Sequence, residues 1–237
     1  MDPFLRIKND IVRCLLRPGE IVNEGELAER YEIGRSVVRE ALQALRYQGF
    51  VEARPRVGYV VLPVTVKDVL DLFGLRAIVE PAASALAAQE ASEEEKQSIE
   101  RMAEHDATAV HDDFVALHQG NSGFHCAVAQ ASHNAALASV QEYIMERFER
   151  ILNLGVGRAG VLDRMARQHK AIARAIYSGD VEKAYSVALD QVEESKQNLI
   201  ESVFQGELAG ELGLGFLPPA ATGTGWPVGG LTSRDVG

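Results

Sequence analysis

The chain has 237 residues, room for one or two domains, and a hydrophobic content of 46% that can fill a core. No apolar run approaches the roughly 18–20 residues that cross a bilayer, and residues 1–6 lack the cationic-then-apolar form of a signal peptide, so a cytoplasmic location is expected. The net charge of −10 speaks against a general binder of nucleic acid, although its distribution along the chain matters more than its sum.

Apolar residues at 7, 11, 12, 15 and 16 give a helical stripe over 5–16, stopped by Pro18 and Gly19. A second short helix fits 24–31, with Leu27, Ala28 and Tyr31 on one face. A turn at 32–34 leads to a third helix over 35–48 with Val38, Ala41, Leu42 and Leu45 inward, and Gly49 stops it. Residues 50–53 alternate like a strand, 54–58 form a turn, and 59–62 are a second strand. Three helices and a hairpin thus occupy residues 1–63, and Pro63 marks the expected domain boundary.

From 66 to 204 the sequence reads almost entirely as helices, over 66–89, 93–110, 112–131, 135–154, 163–178 and 181–204. Ser92 and Glu95 have the spacing of a capping box. The pattern predicts an antiparallel bundle of six or seven helices. The fold class expected is therefore mainly α, a winged helix-turn-helix followed by an all-α bundle. Residues 205–237 are rich in Gly, Pro, Ala and Thr, and are expected to be a disordered tail around Trp226. Cys14 and Cys126 each sit in an apolar helical pattern and read as buried, reduced thiols.

Residues 1–62 hold ten Lys/Arg against nine Asp/Glu, whereas the remainder holds fourteen against twenty-five. Between 35 and 56 five arginines face only Glu40 and Glu52. A small basic patch on an acidic protein suits site-specific contact with double-stranded DNA, the acidic remainder orienting the encounter. Arg35 and Ser36 open the third helix, where a recognition helix reaches base edges and its first N–H groups favour phosphate. Arg39 lies one turn further on the same face. Arg54 and Arg56 would carry the hairpin, or wing, to the DNA backbone or minor groove, and Gly58 would let it turn and approach closely. No nucleophile–base pair, phosphate loop or carboxylate pair stands out, so catalysis is not expected.

The stretches Glu26-Leu27-Ala28, Gly34 to Leu42, Leu45, Gly49-Phe50-Val51 and Gly58 resemble the N-terminal signature of GntR-type transcriptional regulators over residues 5–62. One departure is Gly34, where that family commonly has Ser. The rest, over about 66–202, resembles the FCD class of these regulators, through Arg76-x-x-x-Glu80, Phe124-His125, Ala131-Ser132-x-Asn134, His169-Lys170-x-Ile172 and Gly179-Asp180. The resemblance implies a homodimer on a DNA operator and a small-molecule effector, an organic acid, in the helical domain. In many members an Asp four residues before the first His, with two further His, binds a divalent metal. Here the Asp position is Asn121 and the third His position is Gln191, while His125 and His169 remain. Two neutral imidazoles and two amides make a weakened site for Zn²⁺ or Ni²⁺. The alternative is a metal-free polar pocket in which Arg76, His125 and His169, with Asn121 and Gln191, hold the effector.

Overall fold

A computed structural model describes residues 2–106, 114–154 and 161–204. The expected tail with Trp226 lies outside the described residues.

The first helix, α1 (Pro3–Val12), starts where the Asp2 carboxylate accepts the Phe4 N–H at 3.0 Å and Pro3 fills the first turn, a position that needs no N–H. It starts and stops earlier than the apolar stripe suggested. Cys14 takes a left-handed conformation (φ 56°), and the amides of Leu15 and Leu16 both fold back onto the Asp10 carbonyl at 2.8 and 3.0 Å. A strand not expected from sequence, β1 (Ile21–Val22), follows. Asn23 caps α2 (Glu24–Tyr31) by accepting the Glu26 N–H at 2.8 Å. A left-handed Glu32 (φ 55°) turns the chain into α3 (Arg35–Tyr47).

The hairpin of β2 (Val51–Arg54) and β3 (Gly58–Val61) pairs antiparallel, and β1 adds to its β3 edge, in the order β1-β3-β2. Ile7, Ile11, Leu27, Val38, Leu42, Leu45 and Phe50 form one buried core beneath this sheet and the three helices. Helix α3 is amphipathic, with its inward residues those expected from the 3.6-residue period.

The helical part begins at Thr65, whose hydroxyl accepts the Asp68 N–H at 3.1 Å while Asp68 accepts the Thr65 N–H at 2.8 Å. This capping box starts α4 (Val66–Glu90), followed by α5 (Glu93–Asp106), α6 (Phe114–Ala131), α7 (Ala135–Asn153), α8 (Val161–Tyr177) and α9 (Val181–Phe204). The Ser92–Glu95 box is present, with Ser92 N–H to Glu95 Oε2 at 2.8 Å and Glu95 N–H to Ser92 Oγ at 3.3 Å. Helix α4 is central: it touches α6, α7, α8 and α9 and is buried on several faces. Leu199 shares a cluster with Val69, and Ala188 shares another with Ala87, so α9 runs antiparallel to α4. Among the described residues no helix is long and apolar enough to cross a membrane. The fold is mainly α, a winged helix-turn-helix ahead of a helical bundle.

Candidate nucleic-acid interface and ligand cavity

Helices α2 and α3 form the helix-turn-helix. Gly34 caps α3 without a side-chain hydrogen bond, so no hydroxyl competes for the first N–H groups of the helix. Such an open N-terminus receives a phosphate well. Arg35, Ser36, Val37 and Arg39 are all exposed on this first turn and a half. Arg35 leans over the start of α2, where a Cβ on Gly25 would stand 3.5 Å from its Nη2. Arg39 donates from Nε and Nη2 to the two oxygens of Glu24 at 2.9 and 2.7 Å. This bond holds the Glu24 carboxyl below its usual pKa.

In the wing, Arg54 Nε lies 3.6 Å from Glu52, and Arg56 sits exposed at the tip with φ 65°. Gly58 also has a task within the fold. Its φ is 121°, and a Cβ there would meet the Val22 carbonyl oxygen at 2.7 Å. Glycine is required so that β1 can approach β3.

The helical bundle encloses a cavity of about 80 Å³ lined by Arg76, Asn121, Phe148, Arg164, Gln191 and Asn198 among others. Arg76 from α4 is 1% exposed. Its Cζ lies 4.0 Å from the Phe148 ring centre and 4.9 Å from that of Phe73. The Glu80 carboxylate accepts Nε at 2.6 Å and Nη2 at 3.3 Å, while Nη1 is buried with no hydrogen-bond partner. Burial pushes the Glu80 carboxyl up, but the Arg76 guanidinium, with a contribution from His125, outweighs it and holds the pKa below the usual value.

His125 Nδ1 stands 3.6 Å from Glu80 Oε2. The His169 ring stacks on Phe124 at 4.0 Å and meets the His125 ring edge-on at 5.1 Å. The five residues singled out from sequence thus share one neighbourhood. Arg76, Asn121 and Gln191 line the cavity, and the two imidazoles reach it through Glu80 and Arg76. Sequence reasoning missed the cavity's other polar residues. Gln191, Ser195 and Asn198 repeat at helical spacing on α9, and Arg164 and Gln168 lie one turn apart on α8. That helical spacing of polar side chains was a usable signal. Arg164 Nη1 donates to Asn198 Oδ1 at 2.7 Å.

A resident divalent metal does not fit this donor set. Among the described residues no three of His, Cys, Asp or Glu are grouped to hold one. The carboxylate nearest His125 is bound by Arg76, and Asn121 turns an amide nitrogen, which cannot ligate, into buried space.

Residues 4–61 match the sequence model of the bacterial regulatory proteins of the gntR family, and residues 71–193 match the FCD domain. The HTH-type transcriptional regulator YdhC of Bacillus subtilis is 31% identical over 186 residues, 76% of this chain and 82% of that protein. The chain belongs to the GntR family of transcriptional regulators, with an FCD domain. The HTH-type transcriptional repressor RspR of Escherichia coli is 26% identical over 81% of this chain and 86% of its own length. Among solved structures, E. coli McbR/YncC superposes with a TM-score of 0.72 at 19% identity, covering 86% of this chain and 99% of that one, a likeness of fold. This GntR-family protein is a regulator that binds DNA, and not an enzyme.

Proposed function

We propose that this regulator acts as a homodimer on a pseudo-palindromic operator, with a small organic acid in the helical domain setting its affinity. Two α3 helices enter successive major grooves, Arg35 and Ser36 reach base edges, Arg39 reaches the backbone or a base, and Arg54 and Arg56 hold the wing on the duplex. The exposed Arg35-Ser36 pair at the uncapped start of α3 carries this reading. Fluorescence anisotropy with duplexes selected from a random pool tests it. Arg35→Ala should relax the selected sequence, and Arg56→Ala should weaken all duplexes and reduce the salt slope by about one. Unchanged binding in both variants would refute the reading.

The acid is supported by the lining of the cavity: Arg76, whose other side is paired with Glu80, and Arg164 are among its lining residues, and among the described residues no carboxylate is. Arg76 Nη1 and Asn121 Nδ2 are buried donors without acceptors, and Gln191 Oε1 is a buried acceptor without a donor. A carboxylate satisfies the donors, and a hydroxyl or N–H on the same ligand satisfies Gln191. Such an effector changes the separation of the two reading heads, a coupling typically worth about 1–3 kcal/mol. Thermal-shift screening of short carboxylic acids tests this, with Arg164→Gln expected to abolish any stabilisation.

A further inference from the structure

A second and larger cavity, about 550 Å³, lies between the DNA-reading head and the helical bundle. Gln48, Gly49 and Phe50 bound it from the head, the 62–65 connection crosses one side, and α4 and α7 close it from the bundle. Its size is within the usual range of ligand sites, about 300–1,000 Å³.

The two arginines and two aspartates that line this cleft balance in formal charge, but they are not paired with one another. Arg150 on α7 lines it and is 5% exposed. Its Nη2 donates to the Leu62 carbonyl, and its Nε is buried with no hydrogen-bond partner. Among the described residues no carboxylate lies within ion-pair distance of Arg150. Arg147, one turn before, donates to the Gln48 carbonyl at 2.7 Å and lies 3.5 Å over the Tyr143 ring. Two aspartates also line the cleft, and Asp68 attracts Arg150 through space without forming an ion pair with it. Asp68 accepts the Thr65 N–H and hydroxyl at 2.8 and 2.6 Å, and Asp71 pairs with Lys67. Glu146, 3.6 Å from Arg147, is also paired with Lys8. Guanidinium stays protonated even when burial opposes it, so the cleft holds a buried cation with a free donor. Leaving such a charge unpaired is costly, and a bound anion removes the cost.

The remaining wall is apolar, built from Phe50, Leu62, Val64, Leu72, Leu75 and Ile151. A bare inorganic anion would neutralise Arg150 but leave most of this volume unfilled. We propose that the cleft is a second ligand site, distinct from the effector cavity, for an organic anion with an apolar body whose acidic group sits on Arg150. Its occupant touches the head at Phe50 and the bundle at Leu75, and so fixes their relative orientation. Helix α7 also carries Phe148 and Leu152 to the effector cavity, so the two sites share one rigid element.

Anilinonaphthalene sulfonate, an anion with an apolar body that fluoresces when shielded from water, serves as the probe for the full-length protein. Binding of about one probe per chain is expected. Arg150→Met removes the charge, Leu75→Trp fills the cleft without touching either arginine, and each should weaken binding about tenfold or more. Uncharged phenylnaphthylamine should bind the unaltered protein at least about tenfold more weakly than the sulfonate. Arg164→Gln, in the effector cavity, should change nothing. Unfolding curves confirm that each variant is folded, and Leu75→Trp keeps the test decisive if Arg150→Met is not. Equal binding of the sulfonate and the neutral probe overturns the proposal. So does binding that survives Leu75→Trp, or that is lost in Arg164→Gln.

Discussion

Arg39 of the recognition helix is held by Glu24 of the preceding helix through two parallel hydrogen bonds, at 2.9 and 2.7 Å. The arginine is 57% exposed at its side chain, so the pair adds little to stability. Its expected effect is on DNA: in the proposed docking, Glu24 places a negative charge beside the face of α3 that meets phosphate, and its two bonds fix the direction of the Arg39 guanidinium. Glu24→Gln should therefore tighten binding to scrambled duplex several-fold and steepen the salt dependence, while the ratio of selected to scrambled affinity falls. Anisotropy titrations at several salt concentrations measure all three quantities. Weaker binding to scrambled duplex would show that Glu24 acts only to orient.

Gly58 makes a separate demand on the wing. Both its φ of 121° and the 2.7 Å approach to the Val22 carbonyl exclude a side chain. Gly58→Ala should destabilise the head by about 1–3 kcal/mol from the backbone alone, with the steric clash added. Gly49→Ala, also at positive φ (75°) but with nothing near its Cβ, isolates the backbone contribution. Urea unfolding of the two variants should place Gly58→Ala clearly lower.

These two positions also show what could be read from sequence. The Arg35 and Arg39 spacing placed both on one exposed face of α3, because 3.6-residue periodicity puts them on one side of a helix. The partner of Arg39 was not legible, since Glu24 lies 15 residues away across a turn. Strand β1 has two residues, too few for any alternation to register, and it exists because β3 offers an edge. Without it, the tight contact that requires Gly58 was invisible. In the bundle the helix boundaries at 66, 89, 93, 131, 135, 154, 163, 178, 181 and 204 were read to within two residues, because caps and apolar stripes are local signals, while those expected at 110 and 112 lie outside the described residues. The state of Arg76 was not. Its pairing with Glu80 is an i,i+4 spacing in plain view, but only burial of both turns a surface pair into an interior one that sets Arg76 against the cavity.

That buried pair predicts an acid-sensitive contribution to stability. The folded-state pKa of Glu80 lies below its value in an unfolded chain, about 4.3. The pair is therefore fully stabilising above that pH, and its contribution is lost as pH falls through the folded-state pKa. Glu80→Gln leaves Arg76 buried without a counter-charge and should cost about 3–5 kcal/mol at neutral pH. The gap in melting temperature between the two proteins should narrow as the pH is lowered below about 4. A gap that stays constant with pH would show that Glu80 contributes through shape alone.

Cys126 should be an inert thiol. Burial, then the carboxylates of Glu142, Glu149 and Glu80, push its pKa up to about 11. At pH 8 its thiolate population is then roughly two to three orders of magnitude below that of an ordinary thiol near 8.5. Alkylation by iodoacetamide, followed by mass spectrometry, should modify Cys126 in the native protein far more slowly than in urea. Equal rates in both states would contradict its burial.

The metal question can be turned into a gain of function. The resemblance to FCD regulators that bind metal differs here at Asn121 and Gln191, while His125 and His169 remain packed edge to face at 5.1 Å. If the two amides alone account for the poor donor set, the geometry for a metal persists. Asn121→Asp with Gln191→His would then supply one anionic oxygen and a third imidazole, a set suited to Zn²⁺ or Ni²⁺. Protein prepared without chelator or nickel should carry no stoichiometric metal as it stands. The double variant should take up about one Zn²⁺ per chain and gain thermal stability on adding it, by linkage of binding to the folded state. Each single variant should fall between. Stoichiometric metal in the unaltered protein would show that Glu80 leaves Arg76 to act as a ligand. Failure of the double variant would show that the Arg76–Glu80 pair has remodelled the pocket beyond the two substituted positions.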